Sequence, residues 1–142
     1  MTIAAILSTK GREVISVTAG QSVNEAVALL ATRRIGAVPV MDGDTVVGVF
    51  SERDVIHAIA AHGAAALDRT VGEVMTAPAI TVAPGEPAIG ALSLMTRRRV
   101  RHLPVIDGGT VIGVISIGDL VKYRIDRIEA DAEAMRSYIQ SA

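Results

Sequence analysis

The polar chemistry of this 142-residue chain concentrates in two short patterns of identical layout, Ser51-Glu-Arg-Asp54 and Ser116-Ile-Gly-Asp119. In each, an aliphatic run ends at a serine and an aspartate follows three positions on. That spacing predicts a helix start, with serine as N-cap and aspartate at N3 closing a capping box. Capping alone accounts for the pattern, and a second property is added to it. The first turn of a helix offers unpaired N–H groups that suit a phosphate. A carboxylate beside them can accept hydrogen bonds from both hydroxyls of a ribose. The other concentration of charge is the run Arg97-Arg98-Arg99-Val100-Arg101-His102. Cations at a helix C-terminus complement its dipole, which is enough to explain Arg98 and Arg99, and likewise Arg33 and Arg34 earlier in the chain.

Much other chemistry is excluded. There are no cysteines, so disulfides, thiolate catalysis and Cys-based metal sites are ruled out. His57 and His62 are five apart, not the three or four that place two ligands on one helical face, and His102 is distant, so no metal constellation forms. No P-loop and no G-x-G-x-x-G occurs, and Asp54 and Asp119 are equivalent rather than divided into acid and base, so an enzyme is not expected. Net charge is −1 and aromatic residues make up 2% of the chain. A nucleic-acid binder working through Arg97–Arg101 is therefore unlike the usual basic, aromatic-bearing platform. The N-terminus lacks the basic segment and long apolar run of a signal peptide, and no stretch approaches a membrane span. A cytoplasmic location is the expectation.

The two Ser/Asp patterns belong to a larger repeat. Shifted by 65 positions, residues 15–55 overlay residues 80–120 without a gap, and 17 of the 41 pairs are identical. Gly20 with Gly85, Pro39 with Pro104, Gly48 with Gly113 and Asp54 with Asp119 are among them. With three residues inserted, Thr2–Ser8 also resembles Thr70–Thr76, so each copy begins with a short apolar lead segment. Within a copy, β-rich runs at Val14–Val17 and Ile80–Val82 precede an amphipathic helix. Its apolar positions are Val23, Ala26, Val27 and Leu30 in one copy and Ala88, Ala91, Leu92 and Met95 in the other. A strand, an Asp-Gly turn and a returning strand lead to the Ser/Asp helix. The expected architecture is α/β (α+β): two βαββα units, residues 1–62 and 63–122, sharing a core about a pseudo-two-fold axis. A C-terminal helix over 123–142 follows. In it Ile125, Ile128, Ala132, Met135 and Ile139 form a narrow seam of 3.5-residue period, suited either to packing on its own module or to joining a second subunit or a partner.

The element order, the hairpins PVMDG and PVIDG, and the endings GVFSERD and GVISIGD resemble the cystathionine-β-synthase (CBS) domain. The tandem resembles a Bateman module from about Thr2 to Lys122. The resemblance implies a regulatory module, needing no cofactor for catalysis, that binds an adenosyl ligand (AMP, ADP, ATP, S-adenosylmethionine or an NAD-type dinucleotide) in clefts between the units. It also implies a homodimer, and an unnamed regulated protein that reads the module's conformation. Carried onto this chain, Asp54 and Asp119 would hold ribose, with Ser51 and Ser116 near ribose or phosphate. Ser16 and Thr81 would lie near the adenine, and Val38, Ile80 and Leu103 would sandwich it. Arg101 and His102, which stand where the first copy has Gly36 and Ala37, would reach phosphate or base with Arg53 and Arg99 and make the two clefts unequal. The competing expectation is a structural interaction protein with empty clefts.

Overall fold

The computed structural model of the chain describes residues 1–11 and 13–141. Its elements run α1 (Ile3–Lys10), β1 (Val17–Thr18), α2 (Val23–Arg33), β2 (Ala37–Asp42), β3 (Thr45–Ser51), α3 (Glu52–His62), a 3-10 segment (Gly63–Asp68), α4 (Val71–Val74), α5 (Ala88–Arg98), β4 (His102–Asp107), β5 (Thr110–Ser116) and α6 (Ile117–Ser141). The mixed α/β fold and the repeat are as the sequence predicts. α2 buries Val23, Ala26 and Leu30, and α5 buries Ala88, Ala91 and Met95. The hairpins β2–β3 and β4–β5 share register down to an irregularity at the same place, between Val40 and Met41 and between Val105 and Ile106. Both helices of the α2/α5 pair end on an arginine in the left-handed region, Arg34 (φ 54°) and Arg99 (φ 55°). In each case the next residue's N–H bonds back across the last turn, Ile35 to Leu30 and Val100 to Met95, closing the helix.

The expectations for the first strands and for the C-terminal helix are corrected. The first strands are shorter and later than the β-rich runs suggest. β1 is only Val17–Thr18, pairing parallel with Val40 and Met41, and in the second copy a single bridge joins Val82 to Val105. Ser16 and Thr81 therefore precede the paired residues. Nor is there a break before residue 123, since α6 is one helix of 25 residues. Its counterpart α3 stops at Gly63 (φ 66°), whereas the equivalent position in the second copy is Ile128, which continues a helix without strain.

The halves do not share one core; they exchange lead segments between two. Ile3, Ile6 and Leu7 of α1 are buried with Val82, Met95, Leu103, Val105, Ile115 and Leu120 of the second copy. Val71 of α4 is buried with Val17, Val23, Val40 and Phe50 of the first. Backbone bonds follow the same symmetry. Val71 N–H donates to Gln21 and Gly72 N–H to Ala19, while Ile3 N–H donates to Glu86 and Ala4 N–H to Pro84, all at 2.8–2.9 Å. Each unit's apolar face is thus closed by the chain that opens the other, so neither half completes its core alone. No helix among the described residues is long and apolar enough to cross a membrane.

Gly48 and Gly113 mark where the lead segments come closest. A Cβ on Gly48 would stand 2.7 Å from Met75 Sδ and 2.8 Å from the Thr76 carbonyl oxygen; on Gly113 it would stand 2.7 Å from Leu7 Cδ2. Gly48→Ala must displace backbone, so it is expected to cost about 1–3 kcal/mol. Gly113→Ala meets only the end of a side chain and should cost less. Urea denaturation midpoints of the two variants check the order.

Candidate functional site

The strand-to-helix junctions are built as the serine and aspartate spacing demands. Asp54 Oδ2 accepts from the Ser51 N–H at 2.9 Å and from the Ser51 hydroxyl at 3.1 Å, while Ser51 Oγ accepts from the Asp54 N–H at 3.4 Å. In the second copy Asp119 Oδ2 accepts from the Ser116 N–H at 2.8 Å, and Ser116 Oγ from the Asp119 N–H at 3.1 Å. In the reciprocal bonds to backbone N–H groups the two junctions are equivalent.

They part where the lead segments reach them. α4 ends at Val74 because the chain runs on into Met75-Thr76-Ala77-Pro78, and proline disfavours helix at and before its own position. The extended segment then pairs with β3: Thr76 N–H donates to the Val49 carbonyl at 2.9 Å and Val49 N–H to the Thr76 carbonyl at 2.9 Å. The Thr76 hydroxyl donates to Asp54 Oδ1 at 2.8 Å. In the other copy no proline intervenes, and α1 stays helical through Lys10. Its backbone cannot pair with β5. Instead the Lys10 ammonium donates to the Val114 carbonyl and to Asp119 Oδ2, both at 2.6 Å. One lysine side chain thus takes the place of the two Thr76 donors, the N–H and the hydroxyl, and it adds a positive charge on the second aspartate.

At the first junction the result is an open site. A cavity of about 410 Å3 lies at the start of α3, between the first copy, the segment from Thr76 to Ile80 and the approach to β4. It gathers Ser51, Arg53, Asp54, Ile80, Arg99, Arg101 and His102 from the residues singled out in the sequence. Ser116 and Asp119 stand at the other junction, under Lys10. Ser16 and Thr81 are exposed and do not line the cavity. Val38 and Leu103 do not reach it either: at 1% and 0% exposure they are interior to the two cores, because the inward faces of β2 and β4 are packed against helices. Lining residues that the sequence reading passed over include Thr76, Pro78, Ala79 and Arg98. The alignment of Thr70–Thr76 with Thr2–Ser8 was a signal for the first of these, since it carries the lead segment to the junction.

The cavity lining carries charges of both signs. Asp54 is 8% exposed and is the buried charged residue among the described residues; its Oδ1 retains acceptor capacity beyond the Thr76 hydroxyl. The same cavity is lined by Arg53, Arg98, Arg99 and Arg101, four cationic residues against the two acidic residues Glu52 and Asp54. Arg53 Nη1 also donates to the Arg99 carbonyl at 3.0 Å, tying α3 of the first copy to the C-cap of α5 in the second. His102 stands beside Gly36, where an added Cβ would meet its ring at 3.2 Å and Glu52 Oε1 at 2.6 Å. No group of histidine and carboxylate side chains suited to a metal ion occurs among the described residues.

Burial lowers the His102 pKa from its ordinary 6.5, Lys10 and Arg101 lower it further, and Glu52 and Asp119 act in the opposite sense. For Asp119, burial acts upward but is outweighed by the hydrogen bonds from Lys10 and Ser116 and by the Lys10 charge, leaving the carboxyl below its ordinary 3.8. Both shifts have the same sign for stability. As pH falls through 6.5, the unfolded chain takes up the imidazole proton before the folded one does, so stability declines toward the lowered His102 value. The Asp119 contribution is present above 3.8 and is lost as pH falls through its lowered value. In Lys10→Met, both groups should titrate at higher pH than in the wild type, read by NMR from the His102 imidazole and the Asp119 carboxyl. Unchanged values would show that the ammonium does not govern this junction.

Comparison with known proteins agrees with the architecture. The CBS domain family model matches residues 5–61 and 71–126. The chain is similar to the mitochondrial CBS domain-containing protein CBSX3 of Arabidopsis thaliana, 30% identical over 98% of this chain and 72% of that protein. A solved CBS-domain containing protein from Agrobacterium tumefaciens superposes with a TM-score of 0.85 at 38% identity, covering 87% of this chain and 99% of that one. A CBS domain protein from Pyrobaculum aerophilum, complexed with AMP, superposes with a TM-score of 0.75 at 28% identity over 84% of this chain and 89% of that one. With the duplicated units, their exchanged lead segments and these likenesses together, the chain belongs to the CBS domain family as a tandem pair.

Proposed function

We propose that this CBS pair is a regulatory module, not an enzyme, that binds one adenine mononucleotide per chain in the cavity at Asp54. The observation that carries the reading is the lining of one cavity by a buried carboxylate bonded to a threonine hydroxyl together with four arginines. A ribose held by Asp54 and Thr76 would direct its phosphate toward Arg53, Arg98, Arg99 and Arg101, where guanidinium forks suit phosphate oxygens. Pro78, Ala79 and Ile80 offer apolar surface for the base. The cavity is near the lower end of the roughly 300–1,000 Å3 usual for small-molecule sites. It suits a mononucleotide such as AMP better than an NAD-type dinucleotide, and the AMP-bound relative supports the same choice. The junction at Asp119 takes no ligand in this reading, because the Lys10 ammonium already pairs with the carboxylate and neutralises it.

Regulation follows from where the cavity lies. Its walls come from both copies, and the Arg53–Arg99 contact already crosses between them. A nucleotide bridging α3 and the approach to β4 would favour one relative placement of the copies, and a regulated protein would read that placement.

Calorimetry of the full chain with AMP, ADP, ATP, NADH and S-adenosylmethionine tests this. AMP should bind with a stoichiometry of one per chain and raise thermal stability, by about 2.7 kcal/mol at a concentration 100-fold over Kd. Asp54→Ala should weaken binding by roughly 10- to 100-fold, as expected for hydrogen bonds to a charged group, whereas Asp119→Ala should leave it nearly unchanged. Failure of all five ligands to bind would sink the proposal in favour of an interaction module with an empty cleft. Two AMP molecules per chain would refute the part assigned to Lys10.

A further inference from the structure

α6 is anchored to the module only at its beginning. Leu120 is buried and Tyr123 half-buried in the second core, while every residue from Arg124 to Ser141 is exposed. Those residues extend about 27 Å at 1.5 Å per residue. A helix of that length has little stability in water without a packed face. It nevertheless carries an apolar stripe: Val121, Ile125, Ile128, Met135 and Ile139 are 46–64% exposed. With Ala132 their spacing is 4, 3, 4, 3 and 4, which assigns Ile125, Ala132 and Ile139 to heptad a and Val121, Ile128 and Met135 to heptad d. At 100° per residue the stripe points away from the face that carries Tyr123, so it is not aimed back at its own module.

The residues flanking the stripe identify its occupant. Lys122, Glu129 and Arg136 fall at heptad e; Arg124, Asp131 and Tyr138 fall at g. In a parallel, in-register pair of identical helices, each g residue faces the e residue five positions later on the other chain. Arg124 then meets Glu129 and Asp131 meets Arg136, two opposite-charge pairs that the two-fold axis doubles to four. An antiparallel arrangement centred on Glu129 sets Glu129 against Glu129 and Lys122 against Arg136, which are like charges. Among the described residues Arg124 and Glu129 take part in no ion pair. Asp131 and Arg136 have helix-surface partners of their own chain, Arg127 at 3.7 Å and Glu133 at 3.3 Å, which leaves the apolar stripe uncovered. The charged e and g positions also suit two strands, because assemblies of more strands bury those flanks as well as the a and d seam.

We infer that α6 pairs with α6 of a second copy of this chain as a parallel, in-register, two-stranded coiled coil over residues 121–139, joining two modules at their C-terminal helices. The inference is independent of nucleotide binding.

The experiment combines a mass measurement with charge exchange and single-cysteine cross-linking on the full chain. Sedimentation should give a dimer. Arg124→Glu or Glu129→Arg alone places like charges together twice over and should raise the dimer dissociation constant about tenfold. The double exchange should restore it. Because the chain has no cysteine, Ile125→Cys and Ile139→Cys are clean reporters. Each should form a disulfide with itself in the parallel pair, while an antiparallel pair can bring at most one of the two positions together. A monomer, a trimer or tetramer, cross-linking at only one reporter, or a double exchange no better than the singles overturns the inference. Circular dichroism on the same samples shows whether a variant that loses the dimer has kept its fold.

Discussion

Each half of this molecule is closed by the other half's lead segment, and the rest of the structure depends on that exchange. Ile3, Ile6 and Leu7 complete the core of the second copy and Val71 completes that of the first. Hydrophobic burial of this kind is non-directional. The direction comes from matched backbone bonds, Ile3 to Glu86 and Val71 to Gln21 among them, and from two glycines that leave room for the incoming side chains. A module built this way cannot separate into halves without opening both cores. Any ligand that spans the copies therefore acts on a single mechanical unit.

The exchange also delivers different chain to two otherwise equal junctions. Where Pro78 stops the lead helix, the backbone straightens, pairs with β3 and leaves a cavity beside Asp54. Where nothing stops it, the helix carries Lys10 onto Asp119. The ion pair is partly exposed, 39% for the lysine and 23% for the aspartate, so screening limits what it adds to stability. Its larger effect is to set a positive charge on Asp119 where the first junction sets the neutral Thr76 hydroxyl on Asp54. Duplication supplied two equivalent carboxylates, and the geometry of the lead segments left Asp54, buried as it is, in the lining of a cavity.

Much of this was legible in order of sequence. The offset of 65 between copies, the capping boxes at Ser51 and Ser116, the hairpins and the apolar faces of α2 and α5 are local patterns set by period and turn chemistry, and the structure has them at the expected residues. The first strands were overestimated because Val14–Val17 and Ile80–Val82 have β-rich composition, while pairing depends on how far the neighbouring strand reaches. Val38 and Leu103 stand in the strand interior, where an apolar residue beside a cleft and one beneath it look alike in sequence. Arg98 and Pro78 were passed over for the opposite reason, since a helix-terminal cation and a linker proline each have a sufficient local explanation.

Taken alone, the amino-acid order determined that the chain is duplicated, that each copy ends in a serine-capped helix carrying an aspartate, and that thiol chemistry is absent. These follow from spacing, propensity and residue type, which act over a few neighbouring positions. Only the tertiary structure decided which lead segment meets which core, that Lys10 lies on Asp119, and that four arginines and Asp54 line one cavity. Those contacts join residues as much as 109 positions apart, where no local rule operates and the outcome is set by how two packed faces close on one another.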